Sequence, residues 1–414
     1  MPVRAPHLHR SLRLFALASF ALLARDVDGG ADIPFVFEEH DGGARPLYEY
    51  RPLVGNYVES RATRLAALPD ALAALEELHA EPAAAIYARA HAGGEGSENG
   101  ALARTVLLPL VAATAEACGG FDWSDESFER VYGELERSLF GKRRAYAAVA
   151  PVTGLGAGSQ IDLGRGIRLR AAAAGELAAH WPDASRLLPP AFGREPDRVC
   201  VLELERELQR GEGEPPDAPA ELADAVSALR LATAAPVAAG PVLFERLDWR
   251  PYGIRAVLPI AATQPPGEPS RLDPFRGKLA ADLLERISIA DEDPELAEAL
   301  DRWELSLFAS EPFRSEQLRE SLTALLGGSD GLWAATFRTA LLLGETARDR
   351  AEQLGRLRSL GDGVPAGAAT ADAVRRAVVE TLLHGDRAAL VDALDESLLG
   401  LRARPAGFLT ALAS

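Results

Sequence analysis

The chain has 414 residues, 48% of them hydrophobic and 25% charged, and a formal net charge of −17. That length accommodates two or three domains with cores of their own, and the composition is that of an ordinary globular protein. The acidic balance excludes a broad nucleic-acid-binding face and leaves room only for local basic strips.

At the N-terminus, Arg4, Arg10 and Arg13 lead into an apolar run from Leu14 to Ala24. Eleven residues are too few to cross a bilayer, so no membrane span is expected. The pattern also fits a secretory signal. The two cysteines, Cys118 and Cys200, lie far apart and give neither a disulfide framework nor metal spacing. We therefore expect an amphipathic helix or an over-extended start and a cytoplasmic location, with secretion through residues 1–24 as the second reading.

Residues 1–45 read as this apolar segment and a glycine-rich linker, Gly29 to Gly43, around Ile33 to Phe37. From Pro46 to about Ala92 the pattern is helical, with Leu65, Leu68, Leu72, Leu75 and Leu78 as an inward stripe. Pro69 and Pro82 should restart the helix. Gly93 to Gly100 reads as a loop. Helices come next over Ala101 to Cys118 and Ser124 to Phe140, the second capped by Ser124 or Asp125. Residues 46–145 thus form a helical region.

From Tyr146 the texture changes to strands. Ala147 to Val152 is short and apolar. Ile161 to Leu163 and Ile167 to Arg170 alternate across Gly164-Arg165-Gly166, and Val199 to Leu208 alternates again. Ala220 to Thr233 reads as a helix with Leu222, Val226 and Leu229 inward. Residues 146–275 form a small mixed α/β domain, closed by the proline-rich run Pro259 to Arg276.

Residues 276–414 read as an antiparallel helical bundle. Asp293-Pro294 caps its first long helix. The expected stripes are Leu296, Leu300, Trp303 and Leu307; Leu318, Leu322 and Leu325; Trp333, Phe337 and Leu341; Val374, Val378 and Leu382; and Val391, Leu394 and Leu398. In the helix after Gly344, the series Ala347, Ala351, Leu354 continues to Arg358 and points its guanidinium inward, where it needs a partner. The fold class is α+β: mostly helical, with an N-terminal helical segment, a small α/β domain and the C-terminal bundle.

Ser315-Glu316 before LRESLTALLG, then FRTALLLG, LRSLGDG and the tail TADAVRRAVVETLLHGDRAALVDALDESLLG, together resemble the Apea-like branch of the HEPN family over residues 294–400. The resemblance implies an all-helical bundle of a kind found in RNA-cleaving and defence proteins. In active members an arginine, a polar residue and a histidine four to six residues after the arginine carry metal-independent RNA cleavage. Arg358 and Ser359 match the first two positions. Gly363 stands where the histidine would be, and Thr323 where the family has an acid. The next histidine is His384.

Other chemistry is weaker. Gly154 to Ser159 lacks the strand–turn–helix order of a phosphate cradle and reads as a hairpin loop. Glu203 and Glu205 read as the wet face of a strand. The seven histidines, His7, His9, His40, His79, His91, His180 and His384, show no ligand spacing. Arg338, Arg348, Arg350, Arg356, Arg358, Arg375, Arg376 and Arg387 form a strip read as solvated faces and salt bridges. We expect a non-enzymatic HEPN-like protein whose bundle serves interaction or dimerisation, tied to RNA or antiviral defence. Its candidate partners are RNA and a second copy of the chain, and no cofactor, metal or DNA-binding motif is expected. The alternative is a metal-independent ribonuclease in which His384 supplies the base for Arg358 and Ser359.

Overall fold

The computed structural model describes residues 4–40, 47–92, 97–141, 143–173, 176, 200–209, 216–240, 242–248, 253–256 and 269–408. The described residues are mostly helical, with a small antiparallel sheet among them, as the sequence pattern indicated.

Helix α1 (Pro6–Asp28) is amphipathic and sinks Leu8, Leu12, Phe15, Phe20 and Leu23 into the first hydrophobic core. A hairpin comes after it, β1 (Phe35–His40) against β2 (Leu47–Pro52), where a linker and the start of a helix were expected. The Tyr-Glu-Tyr-Arg alternation of β2 has strand period, and it overrides the helical reading from Pro46. Short helices α2 (Val54–Glu59) and α3 (Ala62–Ala66) lead to α4 (Pro69–Ala80) and α5 (Pro82–Ala92), each opened by the expected proline. Leu65, Leu75 and Leu78 are buried, but Leu72 faces water.

Next come α6 (Glu98–Leu102), a π-helical turn (Ala103–Leu107) and α7 (Leu108–Cys118). Pro109 brings no N–H to the carbonyl of Thr105, and the helix widens to a π turn just before it. Together these three form the one described helix that is long and apolar enough to cross a membrane, yet most of it is buried within this core. Ser124 Oγ accepts the N–H of Ser127 and caps α8 (Asp125–Phe140). Residues 5 to 140 share one apolar cluster, so α1 belongs to the helical region and not to a separate N-terminal unit.

The sheet runs in the order β10-β9-β3-β7-β6-β5, all pairs antiparallel. Its strands are β3 (Arg143–Thr153), β5 (Ile161–Gly164), β6 (Ile167–Ala171), β7 (Cys200–Gln209), β9 (Val242–Leu247) and β10 (Gly253–Ala256). Two-residue β8 (Ala238–Ala239) pairs with the end of β3. The Gly154 to Ser159 stretch holds β4 (Leu155–Ala157), which pairs in parallel with β11 (Ser270–Leu272), so it is a strand where a hairpin loop was expected. Central β3 is buried on both faces: Tyr146, Ala148, Ala150 and Val152 on one, Ala147 and Val149 on the other. That is why it reads as a continuous apolar run.

Helices α9 (Ala218–Thr233) and α10 (Pro274–Leu284) cover the first face. The approach of α10 to β5 depends on Gly277, where an added Cβ would lie 2.8 Å from Ile161 Cγ2. Beyond short α11 (Ile289–Glu292) come α12 (Pro294–Phe308), α13 (Phe313–Leu326), α14 (Gly331–Leu343), α15 (Ala347–Arg358), α16 (Ala368–His384) and α17 (Arg387–Leu398). Asp293 Oδ1 accepts the N–H of Leu296 at 3.0 Å, the cap expected for α12. Helix α16 buries residues on every side, from Thr370 and Val374 to Glu380 and Leu383, and lies at the centre of the bundle. One apolar cluster runs from Tyr146 to Leu394, so the sheet and the bundle share an interior across position 276. The proline-rich run expected to divide them lies largely outside the described residues.

The stripes of α13 and α16 are buried as expected and that of α12 is buried but for half-buried Leu307, while in α17 Val391 is half-buried and Leu398 exposed. In α14 only Leu341 of the expected stripe is buried: Trp333 is 68% exposed and Phe337 half-buried, while Ala334, Ala335, Thr339 and Leu342 face inward. Small side chains let this helix approach its neighbours closely, and the large rings are left on the outer side.

Candidate functional site

Arg358 does not point inward. Ala347, Ala351 and Arg358 are exposed, and the buried side of α15 and the turn after it is carried by Leu357 and Leu360. The stripe is rotated by one residue, about 100°. Two leucines remove far more apolar area from water than two alanines, and that difference sets the rotation.

The Arg358 guanidinium instead lies over the face of Phe337, 5.6 Å from the ring centroid. Phe337 in turn packs against Trp333, with centroids 4.5 Å apart and planes tilted by 43°. Three residues from α14 and α15 thus form an outward patch of two rings and a cation. A guanidinium over a ring face is attracted by the ring quadrupole. This patch was not legible as a unit, because the spacing of the two rings is that of a core stripe.

Ser359 is the C-cap of α15, and its hydroxyl donates to Arg356 O at 2.6 Å. His384 is the last residue of α16, and its Nδ1 is 3.0 Å from Asp386 O. Among the described residues no hydrogen bond or ion pair joins Arg358, Ser359 and His384. The 17-residue helix α16, about 25 Å long, separates His384 from the turn that follows Arg358. Gly363 has φ +69°, a left-handed conformation that any side chain would strain. Thr323 donates its hydroxyl to Arg319 O at 2.8 Å.

A guanidinium does enter the bundle, at Arg338. It is the one charged residue in the apolar run of α14, and that isolation was the available signal. Its Nε and Nη2 donate to the two oxygens of Asp395 on α17, each at 2.7 Å, and Nη1 donates to the carbonyls of Leu326 and Gly327. Other arginines also tie elements together. Arg387 pairs with Asp293 at 2.8 Å, Arg375 donates to Leu231 O at 2.7 Å, and buried Arg230 on α9 pairs with Glu304 on α12. Burial raises the Asp293 carboxyl, but the Leu296 N–H and Arg387 more than reverse this and leave it below its ordinary range.

On the far face of the sheet, Glu203 is buried, where a wet face was expected. Arg168 and Arg170 on neighbouring β6 each donate Nε to Glu203 Oε2 at 2.8 Å, and Arg170 also holds Glu176. Desolvation pushes the Glu203 carboxyl up, and the two guanidiniums overcome it and hold it below the usual range. Glu205 stays exposed. The pair-of-carboxylates chemistry is absent here, because Glu203 is already bonded to two arginines.

No group of three or more histidine, cysteine or acidic residues among the described residues is arranged to hold a metal ion. Both cysteines are free, Cys200 buried and Cys118 half-buried. His9 sits edge-on to Tyr132 and pairs with Glu129, and His180 lies outside the described residues. Comparison with family models, curated proteins and solved structures found no match.

Proposed function

We propose that this chain is a non-enzymatic, HEPN-like protein whose C-terminal bundle is an interaction module, and that single-stranded RNA is the partner of its Trp333–Phe337–Arg358 patch. The observation that carries the reading is the exposure of Trp333 beside Phe337, with the Arg358 guanidinium over the second ring. Unpaired bases stack on aromatic and guanidinium planes, and each such stack contributes about 1–3 kcal/mol without sequence readout. A net charge of −17 opposes any wide contact with phosphates, so a small stacking patch suits this chain better than a basic groove. The order of helices over residues 294–400 and the match at Arg358 and Ser359 support the HEPN-like assignment. The glycine at 363 supports the non-enzymatic one, since that position carries no imidazole to act as acid or base.

Fluorescence anisotropy with a labelled single-stranded RNA tests this, alongside sedimentation of the protein alone. Binding should weaken about tenfold in Trp333→Ala and in Arg358→Ala, and the arginine variant should also show a shallower salt dependence. Unchanged binding in both variants, or none in the wild type, defeats the reading. Self-association abolished by Trp333→Ala without any RNA binding would make the patch a dimer contact instead. RNA cleavage that persists in a chelator and disappears in Arg358→Ala and His384→Ala would establish the ribonuclease alternative.

A further inference from the structure

We propose that Asp248 latches the end of β9 to β3, and that ionisation of its carboxyl releases that end while the rest of the strand stays in place. The ladder between the two strands is regular from Val149–Phe244 to Tyr146–Leu247. At the next step Asp248 turns left-handed at φ +58°, a conformation that aspartate tolerates better than most side chains. Its N–H still donates to Ala145 O at 2.6 Å. The return bond of a regular antiparallel pair would run from the Ala145 N–H to the backbone carbonyl of residue 248. Here Asp248 Oδ1 accepts it instead, at 3.1 Å. One side chain thus closes the ladder.

The same side chain is poorly placed to carry a charge. Asp248 is 8% exposed, and its Oδ2 is buried with no hydrogen-bond partner. Among the described residues the charged group that bears on it is Arg144 of β3. Arg143 is taken up by Glu207 of β7, and Glu245 of β9 accepts the Tyr146 hydroxyl. Burial pushes the Asp248 carboxyl up to about 6, outweighing the Ala145 N–H and Arg144, which both pull it down. The neutral acid leaves one oxygen unbonded, whereas the carboxylate leaves a buried charge that hydration relieves.

Water reaches the carboxylate most cheaply if the end of the strand lifts. Leu243 and Phe244 are buried and anchor the other end, while Glu245, Arg246 and Leu247 are half-buried. Such an end opens locally at a fraction of the cost of global unfolding. The folded value lies above the ordinary carboxylate value of about 4, so the latch is fully closed below that value. It loosens as the pH rises to about 6 and stays loose above. The device lies on the sheet and uses none of Trp333, Phe337 and Arg358, so it stands or falls apart from the RNA reading.

Hydrogen exchange of the full chain, read residue by residue and corrected for the intrinsic effect of pH, tests it. Protection of the Ala145 and Asp248 amides should fall about tenfold per pH unit between about pH 4 and about pH 6 and then level off, roughly a hundredfold in all. Because a lifted end exposes little surface, exchange at these two amides should hardly respond to low urea, whereas that of the β7 amides should respond steeply. Asp248→Asn keeps an acceptor for the Ala145 N–H but does not ionise, and should abolish the pH dependence. Asp248→Gly suits φ +58° and has no acceptor, so it should leave the Ala145 amide poorly protected at every pH. A flat pH profile in the wild type overturns the proposal. So does a urea response as steep as that of β7, or a pH dependence that survives Asp248→Asn.

Discussion

Arg338 and Asp395 hold one another in a two-pronged pair across 57 residues of sequence, both bonds at 2.7 Å, and so bind α14 to α17. The guanidinium also donates to two carbonyls at the end of α13, so one side chain serves three helices. The carboxylate is partly exposed while the arginine is buried, so the two partners are not equivalent.

Arg338→Ala should therefore destabilise the protein by about 3 kcal/mol, because it strips buried carbonyls and a carboxylate of their donor. Asp395→Ala should cost about 1 kcal/mol, since the arginine keeps its carbonyls. Arg358→Ala should stay within about 0.5 kcal/mol, as expected of an exposed side chain. Urea denaturation of the three variants orders them, and a larger loss at Arg358 than at Arg338 would reverse the assignment of the inward guanidinium.

The two glutamates of β7 should separate in the same way. Glu203→Gln removes the charge that two arginines share and should cost about 2 kcal/mol at pH 7, whereas Glu205→Gln should cost under about 0.5 kcal/mol. The Glu203 carboxyl is depressed in the folded state. Its stabilisation is thus present above the ordinary carboxylate pKa and is lost as the pH falls through the folded value. Thermal melts of wild type and Glu203→Gln should converge on acidification.

These two contrasts show how far the sequence could be read. Helices opened by Pro69, Pro82 and Asp293-Pro294 were legible, because a cap or a proline acts locally. The period-two alternation of β5, β6 and β7 was legible as well. Phase was not. Alternation identifies two faces of β7 without saying how far each is covered, and here Val201 and Glu203 are buried on the face that leaves Glu205 exposed. In α14 and α15 the apolar residues offer two nearly equal stripes, and tertiary packing chooses between them. That choice placed Leu357 inside, Arg358 outside and Trp333 in water. The candidate site at Arg358 was legible as residues and illegible as geometry. The strands β9 and β10 were not foreseen, since Val242 to Leu247 carries Glu245 and Arg246 within a short run.

Asp248 ends β9 in a left-handed conformation, φ +58°, and is 8% exposed. One oxygen accepts the Ala145 N–H at 3.1 Å, and the other is buried without a partner. Burial pushes its pKa up to about 6. With the folded value above the unfolded one, this group contributes most at low pH, and its contribution is lost as the pH rises through about 6. Asp248→Asn should stabilise the protein by about 2 kcal/mol at pH 7.5 and have no such effect at about pH 3. The difference between the two melting profiles isolates this residue, and a pH-independent difference would contradict the shift.

The last prediction concerns α1, whose Leu8, Leu12, Phe15, Phe20 and Leu23 are all buried against α4, α7 and α8. A helix that carried only an address would be dispensable to the fold, and this one fills the first core. Phe15→Ala should cost about 3–5 kcal/mol, whereas Leu14→Ala, one position away on the exposed side, should cost under about 1 kcal/mol. Deleting residues 1–28 should expose the apolar faces of α4 and α7, leave the N-terminal core unable to close, and preserve the core shared by sheet and bundle. Hydrogen exchange reads both units in one experiment. Undiminished protection of residues 108–118 in the shortened chain would show that α1 is not part of that core's stability.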